Sequence, residues 1–394
     1  MSRIHDSRPD PTVDDPTADS TAVDSPAVDG SSLDNPAIAE TGAAPAHGGR
    51  REEAARRYGI PKEELLDFSA SINLLGPSPA ALNAIKAAAV DIHYYPEESA
   101  DEFARLVAGY LGVFPDEVVP GNGSIEVIYW MAAALRPRRV LIVEPTFSEY
   151  RRACESVGAI CDAFPLRGEE GFAFDAERLD PQGYDMVFLC NPNNPTGYLI
   201  PVDEVAALWK RCRSVGAGLV VDEAFIDFAG PEQSILLFGA SEGLYVLRSF
   251  TKSHALAGLR LGCLVAETGF AELMRSLMPP WNVNSFALAA GGASLRDWDY
   301  MPRSRDANSS ARSKLYADFD GIPGIDPVPS EANFLLCRLD GAGSEELADE
   351  LGRQGILVRD CRSFPGLGDR YIRVAVRSER DNYQLVSAVR KALG

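Results

Sequence analysis

Gly218-Leu219-Val220-Val221-Asp222-Glu223-Ala224-Phe225-Ile226-Asp227-Phe228 is the stretch on which the fold turns. A short apolar run that suits a buried strand ends on a carboxylate, Asp222. A second run, Leu244–Leu247, leads into Ser249-Phe250-Thr251-Lys252 and then Gly258-Leu259-Arg260-Leu261-Gly262. Upstream, Met186-Val187-Phe188-Leu189 leads into Asn191-Pro192-Asn193-Asn194-Pro195-Thr196-Gly197, and Val140-Leu141-Ile142-Val143 is of the same kind. Helix-length segments such as Ala80–Ala89, Ala100–Leu111 and Ser124–Leu135 alternate with these runs. That alternation specifies an α/β domain with a mostly parallel sheet.

Outward from this centre the pattern divides the chain. Residues 86–290 form the large domain. From 291 to 394 the pattern is that of a smaller α+β domain, with strands expected at Ala332–Leu336, Ile356-Leu357-Val358 and Tyr371–Val376 and a final helix over Glu379–Leu393. Residues 47–85 read as an N-terminal arm that joins the small domain. Residues 1–46 hold nine acidic residues, two Arg, six Pro and no aromatics, with a weak repeat at Val13-Asp14-Asp15-Pro16, Val23-Asp24-Ser25-Pro26 and Leu33-Asp34-Asn35-Pro36. Such a segment buries too little apolar surface to offset its chain entropy, so a disordered acidic tail is expected there. It either solubilises the protein or docks a partner.

With 394 residues, two domains are expected rather than one core. A net charge of -19 argues against nucleic acid or an anionic membrane as partner. An anionic small molecule must then be held by a local cluster of Arg or Lys. The seven Cys form no C-x-x-C pair and the four His are scattered, which speaks for reduced thiols and against a metal site. The N-terminus lacks the basic and apolar regions of a signal peptide, and the run Val127 to Leu135 is too short for a membrane span. A soluble, cytoplasmic protein is expected.

The spacing of Asp222 and Lys252, with Asn-Pro-Thr-Gly before both, points to pyridoxal 5'-phosphate (PLP). The lysine would anchor the cofactor covalently, and the carboxylate would keep its pyridine nitrogen protonated so that the ring accepts electrons. Gly121-Asn122-Gly123-Ser124 precedes a helix, whose free N–H groups suit an anion, although a plain turn with a Ser cap reads the same way. Ser249 and Arg260 flank Lys252 and could add phosphate donors. The Asn-Pro loop could aim Asn194 at the cofactor's phenolic oxygen, where the bland alternative is a β-turn. Phe147 either stacks on a ring or packs in a core. Tyr95, in Tyr94-Tyr95-Pro96, is structural or reaches a phosphate across a subunit interface. Arg359 and Arg373 are surface charges by default, yet two Arg forks suit a substrate that carries both a carboxylate and a phosphate.

Taken together, these motifs resemble the fold-type-I PLP enzymes, and within them the histidinol-phosphate aminotransferase-like group. Within that group they are similar to the threonine-phosphate decarboxylases of cobalamin biosynthesis. The resemblance runs from His47-Gly48-Gly49 to the C-terminus, by way of Leu65-Leu66-Asp67-Phe68-Ser69-Ala70 and Phe364-Pro365-Gly366-Leu367, and leaves out only residues 1–46. It implies Lys252 as the cofactor lysine, Asp222 at the pyridine nitrogen and Asn194 at the phenolic oxygen. It implies Gly123, Ser124, Ser249 and Arg260 at the cofactor phosphate, with Tyr95 from a second subunit, and Phe147 on the ring. His47, Gly48, Ser71, Asn194, Arg359 and Arg373 would contact substrate, Arg373 at its carboxylate and Arg359 near its phosphate. A homodimer is implied too. The implied reaction is decarboxylation of L-threonine O-3-phosphate. Phe225 favours it, because related aminotransferases usually have Tyr there. Ser71 departs from the subgroup, which has Asn, so a related phosphorylated or phosphonate amino acid is a second possibility. The alternatives are an aminotransferase acting on histidinol phosphate or a similar amine, and a PLP-binding protein that has lost catalysis and acts through its tail.

Overall fold

The computed structural model describes residues 47–394; the tail reading of residues 1–46 lies outside them. Thirteen strands form three sheets among the described residues. In chain order they are β1 Leu66–Asp67, β2 Val118–Gly121, β3 Arg139–Glu144, β4 Ile160–Pro165, β5 Met186–Cys190, β6 Gly218–Asp222 and β7 Leu244–Ser249. There follow β8 Gly262–Val265, β9 Ile325–Pro327, β10 Phe334–Leu339, β11 Ile356–Leu357, β12 Arg359–Asp360 and β13 Tyr371–Ala375.

The large sheet has the order β2-β8-β7-β6-β5-β3-β4. All its pairings are parallel except the two made by β8, which runs against β2 and β7. Its central strands read as unbroken apolar runs because both faces are covered. Leu141, Val143, Val187, Leu189, Leu219 and Val221 enter one core. Val140, Ile142, Met186, Phe188 and Val220, alternating with them, enter a second core on the other face.

A third core gathers Phe68, Leu315, Phe319, Leu335, Cys337, Ile372, Val374 and Leu385 around an antiparallel sheet, β12-β13-β10-β9. The N-terminal segment is tied to this part of the chain. β1 pairs with β11 in parallel, Leu66 opposite Ile356, and the N–H of Ala375 donates to the Phe68 carbonyl at 2.8 Å. The strand expected over Ala332–Leu336 begins at Phe334 instead, because the Ser330 hydroxyl accepts from the Ala332 N–H (3.1 Å) in a side-chain turn. The expected helix Glu379–Leu393 is found with those bounds, capped by Ser378.

Candidate active site

The carboxyl ends of β5, β6 and β7 lie side by side, with Cys190 opposite Asp222 and Asp222 opposite Leu247. Loops leaving a parallel sheet at this edge enclose the crevice where ligands bind in such folds. Here they enclose a cavity of about 290 Å³. His47, Gly48, Ser71, Gly123, Ser124, Phe147, Asn194, Asp222, Ser249, Lys252, Arg260, Arg359 and Arg373 all line it. Tyr95 does not. It is 80% exposed, with its ring stacked on Trp281 at 4.7 Å.

Lys252 follows β7 in the turn Phe250–Ser253, half-buried, facing the cavity. Burial pulls its amine down to about 8; Arg373 and Arg260 lower it further and Asp222 opposes them. Asp222 ends β6 and is 4% exposed. Its carboxylate accepts from the Tyr150 hydroxyl at 2.5 Å and from the Ala224 N–H at 3.0 Å. Burial raises its pKa; the Tyr150 and Ala224 hydrogen bonds and the Lys252 charge work the other way.

A cradle suited to an anion forms where the helix Ser124–Leu135 starts. No hydrogen bond among the described residues uses the N–H of Ser124 or Ile125, as at any helix start. Gly123 has a φ of 82°, and a Cβ there would sit 2.8 Å from the Arg260 guanidinium. A Cβ on Gly262 would sit 2.5 Å from the Ser124 nitrogen. Both glycines therefore let backbone, helix start and guanidinium converge. Ser249 and Thr251 add hydroxyls 2.6 Å apart.

Across the cavity, β12 and β13 place Arg359 directly opposite Arg373. The Arg373 guanidinium donates to the Asn194 side-chain oxygen and to the Ser69 carbonyl (3.1 Å), and lies over the Phe334 ring. Among the described residues its buried Nε has no partner. Arg359 donates to the Ser363 hydroxyl (2.7 Å) and lies over Phe364. Among the described residues, neither Arg359, Arg373 nor Arg260 has a carboxylate within 4.0 Å. In a chain of net charge -19, three such cations facing one cavity form the local cluster that an anionic ligand needs.

A buried ion network adjoins these residues through the chain after Lys252. Arg248 pairs with Glu223 (3.4 Å) and with Asp227, and Asp227 accepts from the Ser253 hydroxyl (2.7 Å), one residue past Lys252. Sequence reasoning missed this network, and it missed Thr251, Tyr150 and Glu149. Thr251 was legible in principle, being two residues from Ser249. Tyr150 and Glu149 follow Phe147 closely, but no local signal marks a helical Tyr as lining a cavity, or a helical Glu as meeting a residue such as His47 that does. Glu149, 2% exposed, accepts from Tyr129 (2.9 Å) and Arg152 (2.9 Å) and meets His47 Nε2 at 3.1 Å.

The chain matches the family model "Aminotransferase class I and II" over residues 63–389. It is 38% identical to threonine-phosphate decarboxylase of Salmonella typhimurium, over 88% of this chain and 96% of that one. It is 34% identical to histidinol-phosphate aminotransferase of Methanothermobacter thermautotrophicus, over 82% and 88%. Among solved structures, histidinol-phosphate aminotransferase from Clostridium acetobutylicum superposes with a TM-score of 0.78 at 29% identity, covering 83% of this chain and 99% of that one. The chain belongs to the class I and II aminotransferase family, and its cofactor is PLP. The residues fit that cofactor: a glycine-lined anion cradle, a lysine of lowered pKa and a buried carboxylate share one cavity.

Proposed function

We propose that this family member removes the carboxylate of L-threonine O-3-phosphate, leaving (R)-1-amino-2-propanol O-2-phosphate, and that it works as a homodimer. The observation that carries this reading is the facing pair Arg359 and Arg373. Each lacks a carboxylate partner among the described residues, and both open on the cavity that holds Lys252. One small molecule with a carboxylate and a phosphate satisfies both. The 38% identical decarboxylase supports the reading.

Bound PLP supplies an electron sink for the bond at the substrate Cα that stands perpendicular to its ring. The protein's task is then to choose that bond. Arg373, fixed by Asn194 and Ser69, would hold the substrate carboxylate. Arg359 and His47 would hold the phosphate, so that two anchored ends set the rotation about Cα. Carbon dioxide departs, and Lys252 Nζ would deliver the proton that replaces it at Cα. Phe225, 5% exposed and edge-on to Phe334 at 5.1 Å, lines the cavity without offering a hydroxyl. Ser71 is 2% exposed, and its hydroxyl has no partner among the described residues. It sits between Ser69, whose carbonyl takes Arg373, and Asn73, whose N–H donates to the Lys252 carbonyl (3.1 Å). A substrate oxygen would satisfy it.

The test is the protein with PLP and L-threonine O-3-phosphate, its products read by mass spectrometry. The expected product is lighter by one carbon dioxide and absent with Lys252→Ala. Untouched substrate in the presence of bound PLP would sink this substrate assignment. The 34% identical aminotransferase motivates the second reading, transfer of an amino group from a phosphorylated amine. Its mark is an amino acid formed from an added 2-oxoacid.

A further inference from the structure

The helix Glu149–Ser156 begins just past Phe147, and its second residue points inward. Tyr150 is wholly buried. Its ring stacks on Phe188 (5.1 Å, 18° between planes) and meets Phe147 edge-on at 5.6 Å. These contacts fix the ring in one position, so its hydroxyl can point only one way. It points at Asp222, donating to Oδ2 at 2.5 Å, while the Ala224 N–H donates to Oδ1 at 3.0 Å. Each carboxylate oxygen thus has one fixed protein donor. An oxygen of a carboxylate accepts more than one, so capacity remains for a cation in the cavity.

We infer that Tyr150 is a positioning residue for the cofactor: its hydroxyl orients the Asp222 carboxylate to receive the protonated pyridine nitrogen of PLP. The alternative is a tyrosine that merely fills the core. Filling does not account for the hydroxyl. A phenylalanine occupies the same volume without introducing a polar atom that must be satisfied. A short hydrogen bond to a charged acceptor is among the stronger ones available to a protein. Its effect on Asp222 opposes that of burial, which alone favours the neutral acid. The ionisable groups that face this pair are the Cys190 thiol from β5 and the Lys252 amine from beyond β7; burial holds the Cys190 thiol well above its ordinary range, hence neutral.

The decisive variant is Tyr150→Phe, measured by PLP titration and by the pH dependence of the bound cofactor's visible absorbance. We expect PLP affinity to fall about ten- to a hundredfold, the range for a hydrogen bond to a charged group. The absorbance midpoint should shift. On an Asp222→Asn background the same substitution should change PLP affinity little, because the hydroxyl acts through the carboxylate. 3-Fluorotyrosine placed at position 150 is a more acidic donor of nearly the same shape, and it should shift the midpoint in the opposite sense. It also settles the question should the Phe variant not fold. The inference fails if Tyr150→Phe binds PLP with unchanged affinity and midpoint. It fails equally if the loss persists in full on the Asn background, which would mark a structural role. It also fails if fluorotyrosine leaves the midpoint in place.

Discussion

At the scale of single residues, the chemistry depends on a lysine that is easier to deprotonate than usual. Only the free amine attacks a carbonyl carbon, so with Lys252 as the proposed anchor its protonation state would gate covalent attachment of PLP. With a pKa of about 8, the attachment rate to cofactor-free protein should rise with pH up to about 8 and then level off. Arg373 is the largest charge lowering that value. Arg373→Met should therefore move the midpoint upward, toward the 10.5 of an ordinary lysine, as read by stopped-flow absorbance. An unmoved midpoint would mean that burial and the remaining charges set it without Arg373. Ser71 gives a second test at this scale. Ser71 lines the cavity, and among the described residues its hydroxyl has no hydrogen-bond partner. Ser71→Ala should raise KM for threonine phosphate about tenfold, the worth of one hydrogen bond of 1–1.5 kcal/mol, and leave PLP affinity unchanged. Equal KM values would remove Ser71 from the substrate contacts.

At the scale of elements, the first turn of the helix Glu149–Ser156 serves two sides of the site with adjacent residues. Tyr150 faces Asp222, and Glu149 faces His47. His47 comes from the start of the described chain and has few other ties, its ring lying 5.8 Å from Phe147. Glu149→Gln would turn an amide N–H toward one of the three donors that now meet this carboxylate. His47 should then be held less well, raising KM for the phosphorylated substrate several-fold with kcat and cofactor absorbance nearly constant. A matching fall in PLP affinity would instead mean that the whole turn had shifted. The contrast between these elements shows what the sequence could reveal. The runs Met186–Leu189, Gly218–Val221 and Leu244–Leu247 are legible because a strand covered on both faces must be apolar throughout. The motifs after them are legible because Asp, Lys, Asn and Gly stand where apolar residues would otherwise continue. The opposition of Arg359 to Arg373 is not legible, because antiparallel register depends on the ten-residue connection 361–370 and on the β13 partners beyond it. The same holds for Glu149 and Tyr150: a helix position says which face a residue occupies, never what that face meets.

At the scale of the whole molecule, a chain of net charge -19 repels its own copies, so association must rest on apolar contact. The segment before the helix Asp101–Leu111 offers one. Val90 (73%), Ile92 (65%), Tyr94 and Tyr95 are exposed within six residues, and the Tyr95 ring continues onto Trp281. Exposed apolar side chains gathered this densely mark an interaction surface rather than ordinary scatter. We take a second copy as its occupant, since Tyr95 lies outside its own cavity and a neighbouring copy is what could bring it to a cofactor phosphate. Ile92→Asp then places a charge in the contact without altering any residue that lines the cavity. Sedimentation should report twice 42.5 kDa for the unaltered protein and 42.5 kDa for the variant. Salt should strengthen association of the unaltered protein, because it screens the repulsion and leaves apolar contact intact. If the partner's Tyr95 supplies a donor to the cofactor phosphate, PLP affinity should fall in step with dissociation. A monomer that binds PLP fully would remove Tyr95 from the site while keeping the dimer. A variant that remains a dimer would show that the interface lies elsewhere, and would leave this exposed segment to some other partner.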